Sequence, residues 1–228
     1  MPYRRTPAVA LRQARVRERL VEEATALVAD GGWPACSVAA VAAAAGVATG
    51  TVYGYFAHKS DLLAEVVRTV SAREVAAALD TGRRVRQDQG ACACAVVVAT
   101  VAGFAERAAL APRLAYAVLA EPVDVAVDLE RLAFRRAWTD LLAAAVGEGV
   151  DAGQLPAQDP EVTAAALLGA AAEVLVRPLA DSTVDSTVDS TLDSTVDSTL
   201  DSDAYAAVVQ SLLALTRRCL GGDHDHHA

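Results

Sequence analysis

The sequence predicts an all-α protein of about nine helices, arranged as a three-helix N-terminal domain and a larger helical domain. Its composition is 54% hydrophobic but only 4% aromatic, with abundant alanine, which suits all-helical packing. Apolar residues recur at three- and four-residue spacing. Glycine, proline and capping residues interrupt this pattern at intervals typical of helices. In a chain of 228 residues, core volume does not limit stability.

The N-terminal segment divides into a basic arm and a first helix. Residues 1–12 hold two prolines and three arginines, and predict a flexible arm that either enters a DNA minor groove or stays solvated. From Gln13 a helical pattern runs to the glycine pair Gly31–Gly32, where the helix is expected to end. Near its start, Arg15 and Arg17 are expected to reach phosphate. The apolar positions of this helix are Val16, Leu20, Ala24, Leu27 and Val28.

Two short helices joined by a tight turn are predicted between Ser37 and Lys59. Ser37 suits an N-cap, because its hydroxyl can accept a hydrogen bond from a free backbone N–H. Gly46 ends the first helix, since glycine adopts a positive φ without steric cost. Val52 and Phe56, at i and i+4, point inward on the second helix. Two helices that cross steeply at a glycine turn form a helix-turn-helix, whose second helix can lie in the major groove of DNA.

The outer face of the second helix is slender and polar. Gly50 and Gly54 each cost roughly 1 kcal/mol relative to alanine, a cost that favours a helix whose backbone approaches a nucleic acid. Hydroxyl groups and one ammonium on this face suit bases and phosphate oxygens. The alternative is an ordinary helical hairpin, which the alanine content alone would favour. The candidate DNA-binding residues are Ser37, Thr49, Gly50, Thr51, Tyr53, Gly54, Tyr55 and Lys59.

This stretch reads Gly46-Val-Ala-Thr-Gly-Thr-Val-Tyr-Gly-Tyr-Phe-Ala-His-Lys-Ser-Asp-Leu-Leu63. It resembles the N-terminal domain of the TetR family of bacterial transcriptional regulators, and the resemblance covers roughly residues 13–66. The resemblance implies a DNA-binding domain over residues 1–59 and a ligand-binding and dimerisation domain over residues 60–228. Ala48 stands where the family commonly has serine, Thr49 where lysine or another polar residue is frequent, and Gly54 where a larger base-contacting side chain is frequent. These departures bear on which operator is read.

Six further helices are predicted downstream. Ser60–Asp61 caps the first of them, whose pattern fades near Gly82, and a basic cluster within 83–90 is expected to form a loop or a frayed helix end. In the TetR family this first helix is the lever that transmits ligand binding to the DNA-binding domain. Proline and glycine residues bound the other helices. The predicted ranges are about 60–82, 91–108, 112–121, 123–148, 160–178 and 203–220.

The last two helices, at about 160–178 and 203–220, carry wide apolar faces. In a TetR-like protein they pair with their symmetry mates, so the resemblance implies a homodimer that binds a palindromic operator with half-sites about one helical turn apart. The alternative is that both helices only close the core of a monomer.

Charge is divided along the chain. Residues 1–60 carry seven basic and four acidic side chains, a net charge of +3. Because the whole chain has a net charge of −9, residues 61–228 have a net charge of −12. This division is expected when one end of a protein meets a polyanion. Six aspartates lie in a repeat of Asp-Ser-Thr-Val/Leu at 181–202, which we expect to be a disordered acidic loop. The histidine-containing tail at 221–228 is expected to be disordered too, rather than a metal site.

An effector pocket is expected among the helices of the C-terminal domain. Aromatic and polar residues on otherwise apolar faces are its candidate lining, although plain core packing is the alternative for each aromatic. Glu173 needs a partner if it is buried, and Arg177, one turn further on, could be that partner. The candidates are Phe104, Tyr116, Phe134, Trp138, Glu173 and Arg177.

Other functional classes find less support in the sequence. His58 is the only histidine outside the tail, and no nucleophile has a visible general base, so an enzyme is not predicted. The four cysteines show no metal spacing and are expected to be buried thiols, and no cofactor is predicted. Neither a membrane span nor a signal peptide is expected, which predicts a cytoplasmic protein. We therefore predict a ligand-responsive repressor with an unknown small-molecule effector. The remaining alternative is a helical small-molecule-binding protein without specific DNA recognition.

Overall fold

The computed structural model describes residues 7–88, 91–188 and 201–221, and this part of the chain forms nine α-helices and no strand. The all-α prediction is therefore confirmed. The helices are α1 (Pro7–Ala35), α2 (Val38–Ala44), α3 (Thr49–Tyr53), α4 (Lys59–Gln87), α5 (Ala93–Leu110), α6 (Pro112–Leu119), α7 (Val125–Asp151), α8 (Pro160–Val188) and α9 (Ser202–Cys219).

Helix α1 begins earlier than the sequence pattern predicts. Residues 7–12 of the predicted arm are helical, and residues 1–6 lie outside the described part. The backbone leaves helical geometry at Gly32, where φ is 67°. A Cβ atom at this position would lie 1.6 Å from Nη2 of Arg113. Glycine is therefore required at position 32, because it adopts a positive φ without strain and has no Cβ atom to obstruct the close approach of α1 and α6.

Helix α4 continues to Gln87, so the segment predicted as a loop or frayed end from residue 83 is helical as far as Gln87. Asp61 stabilises the start of the helix, because its carboxylate accepts a hydrogen bond from the backbone N–H of His58 at 2.9 Å. The exposed arginines of its last turns oppose the negative end of the helix dipole, which favours the extra turn.

Helix α8 runs ten residues past Pro178, where the sequence pattern predicts its end. The predicted disordered loop at 181–202 is therefore wrong for residues 181–188, while 189–200 lie outside the described residues, as do 222–228 of the predicted tail. Proline removes one helical hydrogen bond. Packing outweighs that loss, because Leu175 and Leu179, on either side of Pro178, are both fully buried in one apolar cluster.

Three apolar clusters form the core. The first joins α1, α2, α3 and the start of α4 to α6, and it includes Val52, Leu62 and Ala117. The core thus continues across the predicted domain division between residues 59 and 60, a division that stays a prediction. The other two clusters lie among α4, α5, α7, α8 and α9.

Two described helical segments, Ala93–Leu110 and Pro160–Ser182, are long and apolar enough to cross a membrane by length and composition alone. Core helices of globular proteins pass the same test. Both segments contribute residues to the second and third apolar clusters, among them Val97 and Leu167. Part of their apolar character is therefore used in packing within the fold, since 39% of the first segment's most apolar window and 28% of the second's are buried.

Candidate DNA-binding site and effector cavity

Helices α2 and α3 are joined by the turn that the sequence predicts. The Ser37 hydroxyl accepts a hydrogen bond from the backbone N–H of Ala40 at 3.1 Å, which caps α2. Gly46 adopts a φ of 65° and ends the helix. The next residue, Val47, returns a backbone hydrogen bond to the carbonyl of Ala42 at 2.9 Å. The N-cap and the glycine turn are thus present, and the hydroxyl of Ser37 is used within the fold.

Helix α3 is shorter than predicted, since it spans only Thr49–Tyr53 and ends before Phe56. Gly54 is its C-cap, with a φ of −69°, and does not lie inside the helix. Val52 and Phe56 are 1% and 4% exposed and belong to the first apolar cluster. These two buried side chains hold α3 against α1, α2 and α4, so the helix presents its opposite side outward.

Most of the predicted DNA-binding residues lie on the outward side of α3 or in the segment that follows it, up to Lys59 at the start of α4. Thr49, Gly50 and Lys59 are exposed and Tyr53 is 54% exposed, while Thr51 and Tyr55 are half-buried. A Cβ atom on Gly50 would have no neighbour within 4 Å. Among the described residues, the side chains of this face form no hydrogen bond or ion pair. Their polar groups are therefore free to bind a ligand, and their contact with DNA stays a prediction.

Arg17, unlike the residues of this face, has side-chain partners within the fold. Its Nη1 donates to Oε1 of Glu65 at 2.7 Å, and its guanidinium lies 5.1 Å from the ring centroid of Phe56. The same hydrogen bond holds the pKa of the Glu65 carboxyl below its usual range. The guanidinium of Arg17 thus has partners within the fold, and its contact with phosphate stays a prediction. Arg17 belongs to α1 and Glu65 to α4, so their charge-assisted hydrogen bond connects the two helices.

A cavity of about 850 Å³ lies among α5, α6, α7 and α8. Phe104, Phe134 and Trp138 line it, and the rings of Phe104 and Trp138 meet edge-on with their centroids 5.1 Å apart. Glu173 also lines the cavity but is exposed. The structure therefore brings four of the six predicted pocket residues to one cavity. Its volume falls within the range of small-molecule sites.

Tyr116 and Arg177 lie outside the lining of this cavity. Tyr116 packs against the guanidinium of Arg113, 5.9 Å from its ring centroid, and Arg177 is exposed. Within the described chain, Glu173 forms no ion pair with Arg177. The proposed pairing is thus wrong, because α8 turns both side chains toward its solvent side and neither charge needs a buried partner.

Sequence reasoning missed Arg131, which lines the cavity. Its Nε donates to the carbonyl of Val118 at 2.8 Å, and its Nη2 donates to the carbonyls of Ala117 at 2.7 Å and Glu121 at 2.6 Å. These bonds satisfy the free carbonyls at the end of α6. Nothing in the sequence marks this arginine among its neighbours, since its partners are backbone atoms of another helix.

Helix α6 is also bonded to the end of α1. Arg113 donates to Oε1 of Glu121 at 2.6 Å, and Oε2 of Glu121 accepts from the backbone N–H of Trp33 at 3.3 Å. The residues that follow Ala117 line the cavity, among them Leu119. One short helix therefore contacts both the DNA-binding domain and the cavity.

The cysteines differ in their surroundings. Cys36 is buried, and burial raises the pKa of its thiol to about 11. Cys94 is half-buried, whereas Cys92 and Cys219 are exposed, so the expectation of four buried thiols is wrong for these two. Both lie at helix ends, Cys92 as the N-cap of α5 and Cys219 as the last residue of α9, where less protein covers a side chain.

Comparison with known proteins agrees with this geometry. Residues 20–66 match the family described as bacterial regulatory proteins, tetR family, which confirms the predicted resemblance. No curated protein sequence matches the chain.

Among solved structures, the fold is similar to that of FadR from Bacillus subtilis, a transcriptional regulator in complex with stearoyl-CoA. The TM-score is 0.67 at 18% sequence identity, and the alignment covers 91% of this chain and 99% of the FadR chain. FadR from Bacillus halodurans, a fatty acid degradation regulator, gives a TM-score of 0.66 at 20% identity, with 97% and 98% covered. A protein described as a TetR-family transcriptional regulator from Rhodococcus sp. gives a TM-score of 0.63 at 18% identity, and the alignment covers 91% of this chain and 99% of that one. These likenesses establish the fold.

Proposed function

Because its N-terminal domain is that of the TetR family of bacterial regulatory proteins, we propose that this chain is a ligand-responsive transcriptional repressor. It binds a palindromic operator as a homodimer, and a small molecule in the C-terminal domain lowers its affinity for DNA. The observation that carries this proposal is the outward side of α3, where exposed polar groups without protein partners stand on a helix anchored by Val52 and Phe56. A recognition helix docked in the major groove needs this combination.

The roles of individual residues follow from their placement. Gly50 lets the α3 backbone approach the base edges, and Thr49, Thr51 and Tyr53 contact bases or phosphates. Tyr55 and Lys59 hold the phosphate backbone, with Lys59 at the first turn of α4, whose free N–H groups favour an anion. Gly54 and Ser37 shape the site rather than contact DNA, since the first caps α3 and the second caps α2.

The homodimer is formed through α8 and α9. On α8, Val162 is 65% exposed, and Ala165, Ala166 and Gly169 are also exposed, with Ala165 and Gly169 at the edge where α8 lines the large cavity. A Cβ atom on Gly169 would have no neighbour within 4 Å. Small residues allow a second copy of the helix to approach closely, and a two-fold axis through this face would relate the two α3 helices.

The effector is a small molecule held in the cavity beside Phe104, Phe134 and Trp138. FadR from Bacillus subtilis is a regulator in complex with stearoyl-CoA, and the aromatic and aliphatic lining here suits a ligand with a largely apolar body. The protein acts in the cytoplasm, where its DNA target lies, and the proposed function requires neither a cofactor nor an enzymatic step.

The experiment is a mobility-shift titration of the full-length protein against a duplex of its own upstream promoter region in low salt. We expect a discrete complex at nanomolar to micromolar protein that outlasts competition by unrelated DNA. Equal affinity for the promoter and for a shuffled duplex of the same composition would contradict the proposed regulator. It would favour the alternative, a helical small-molecule-binding protein without specific DNA recognition. Sedimentation of the complex would give the protein stoichiometry, which should be a multiple of two.

A further inference from the structure

A second, smaller cavity of about 80 Å³ adjoins the large one. Phe104, Val118, Leu119 and Phe134 line both cavities, so these side chains form the wall between them. Phe104 and Leu119 are only half-buried, and rotation of these side chains would connect the two spaces. A ligand lying along the aromatic cluster could therefore extend from the large cavity into the small one.

The small cavity contains polar groups that the fold leaves without partners. Ser71 lines it and is 7% exposed, yet its Oγ has no hydrogen-bond partner. Arg107 also lines it: Nε donates to Oε2 of Glu74 at 2.9 Å, while the buried Nη2 has no partner. Leaving a buried polar group unpaired is costly, so native proteins seldom retain one without a purpose. Two unpaired donors among the residues of the small cavity indicate a missing acceptor there, whereas the large cavity has one such donor, Nε1 of Trp138.

The charge balance restricts the chemistry of that acceptor. Glu74 already compensates the positive charge of Arg107 through a direct ion pair. A carboxylate or phosphate entering the same space would meet the negative charge of Glu74 at short range. A neutral carbonyl-type oxygen can accept from both the Ser71 hydroxyl and the Arg107 N–H without this repulsion.

We propose that the small cavity binds the uncharged carbonyl-type oxygen of an effector whose apolar body fills the large cavity. This inference rests on the proposed function, since it specifies the effector of the same regulator. Ser71 and Glu74 both belong to α4, and Ser71 lies twelve residues beyond Lys59 in the same helix, about 18 Å along its axis at 1.5 Å per residue. The polar end of the effector thus binds the helix that begins at the DNA-binding face.

The test uses two fluorescent probes with the full-length protein. One is 6-propionyl-2-(dimethylamino)naphthalene, a neutral ketone on an aromatic body, and the other is the analogue in which a methylene replaces the carbonyl. In the Ser71→Ala variant we expect the Kd of the ketone to rise about three- to tenfold, the effect of one lost hydrogen bond. The Kd of the analogue should stay unchanged. Emission of the bound ketone should move to shorter wavelength, because its carbonyl accepts one hydrogen bond fewer.

Ser211→Ala is the matched control, since Ser211 is exposed on α9 and bonds only the carbonyl of Ala207. Equal loss of affinity for both probes, no loss for either, or a wild-type protein that does not prefer the ketone would overturn the proposal. Failure of both probes to bind the wild-type protein would overturn it as well. DNA binding is measured on the same samples without probe, so a protein that selects the ketone but not the promoter would refute the regulator and leave the subsite intact.

Discussion

The indole Nε1 of Trp33, at the end of α1, donates a hydrogen bond to the carbonyl of Ala117 in α6 at 3.0 Å. The same carbonyl accepts from Arg131, a residue that lines the large cavity. The two residues after Ala117, Val118 and Leu119, line both cavities. The end of α1 and the cavity wall are therefore joined by a single turn of α6, so a displacement of the wall would also displace the hydrogen-bond partner of Trp33.

Replacing Trp33 by phenylalanine should cost more stability than the same change at Trp138. Both indoles are buried, at 2% and 3% exposure, but Nε1 of Trp138 has no hydrogen-bond partner. The loss of ring volume is similar in both variants, so Trp33→Phe should be less stable by about 1 kcal/mol, the value of one hydrogen bond. Urea unfolding of the two variants measures this difference. A Trp138→Phe variant that is the less stable of the two would contradict it.

Replacing Gly50 by alanine should separate stability from DNA binding. Its Cβ would meet no atom, and the change raises helix propensity, so the free energy of unfolding should rise by up to about 1 kcal/mol. DNA affinity should fall, because the added methyl group keeps the α3 backbone away from the groove. Gly46→Ala is the contrasting variant: its φ of 65° predicts lower stability. Unchanged DNA affinity in Gly50→Ala would mean that α3 does not enter the groove.

Replacing Lys59 by alanine should weaken binding to all DNA sequences and reduce the slope of log K against log salt by about 1, as expected for one lost phosphate contact. The measurement is a mobility-shift titration at several salt concentrations. Arg73→Ala is the control, because Arg73 is an exposed cation of the same helix, fourteen residues further along. An unchanged slope in Lys59→Ala would show that the ammonium does not touch phosphate.

The ion pair between Arg17 and Glu65 should make stability depend on acid pH. The pKa of Glu65 is lowered first by the hydrogen bond from Arg17, so the unfolded state takes up a proton at higher pH than the folded state. The stabilisation is present above the ordinary carboxyl pKa of 4.5 and is lost as the pH falls through the lower folded value. When the pH falls from about 5 to about 3, a range that spans the ordinary carboxyl pKa, the free energy of unfolding should fall less for Glu65→Gln than for the wild type. Urea unfolding at both pH values tests this, and Asp140→Asn, an exposed carboxylate on α7, is the control.

Replacing Ala166 by arginine should disrupt the proposed dimer without unfolding the protomer. Ala166 is exposed on α8 and does not line the large cavity. A charged side chain on each side of a two-fold interface places like charges together, so light scattering should show a monomer and operator affinity should fall. Ala76→Arg, on an exposed position of α4, should leave the oligomeric state unchanged. A dimeric Ala166→Arg protein would place the interface elsewhere.

The helical period, the caps and the glycine turn could be inferred from local residues. The Ser37 cap, the positive φ of Gly46, and the apolar spacing of Val52 and Phe56 depend on residues within a few positions. The end of α8 could not be inferred in this way, because the helix passes Pro178 only where Leu175 before it and Leu179 after it have a core to enter. Local propensity is a weak guide where burial opposes it.

The roles of single charged and polar residues depend on atoms distant in the chain. Arg17 is paired with a carboxylate 48 positions away, and Arg131 bonds carbonyls of another helix. The cavity gathers residues from four helices, including only four of the six that the sequence suggested. The sequence by itself determined an all-α chain with a helix-turn-helix, because helix periods, caps and turns are set by short-range sterics and hydrogen bonds. Only the tertiary structure decided which polar groups form hydrogen bonds or ion pairs inside the fold and which remain without a partner, because pairing and burial depend on how distant helices pack.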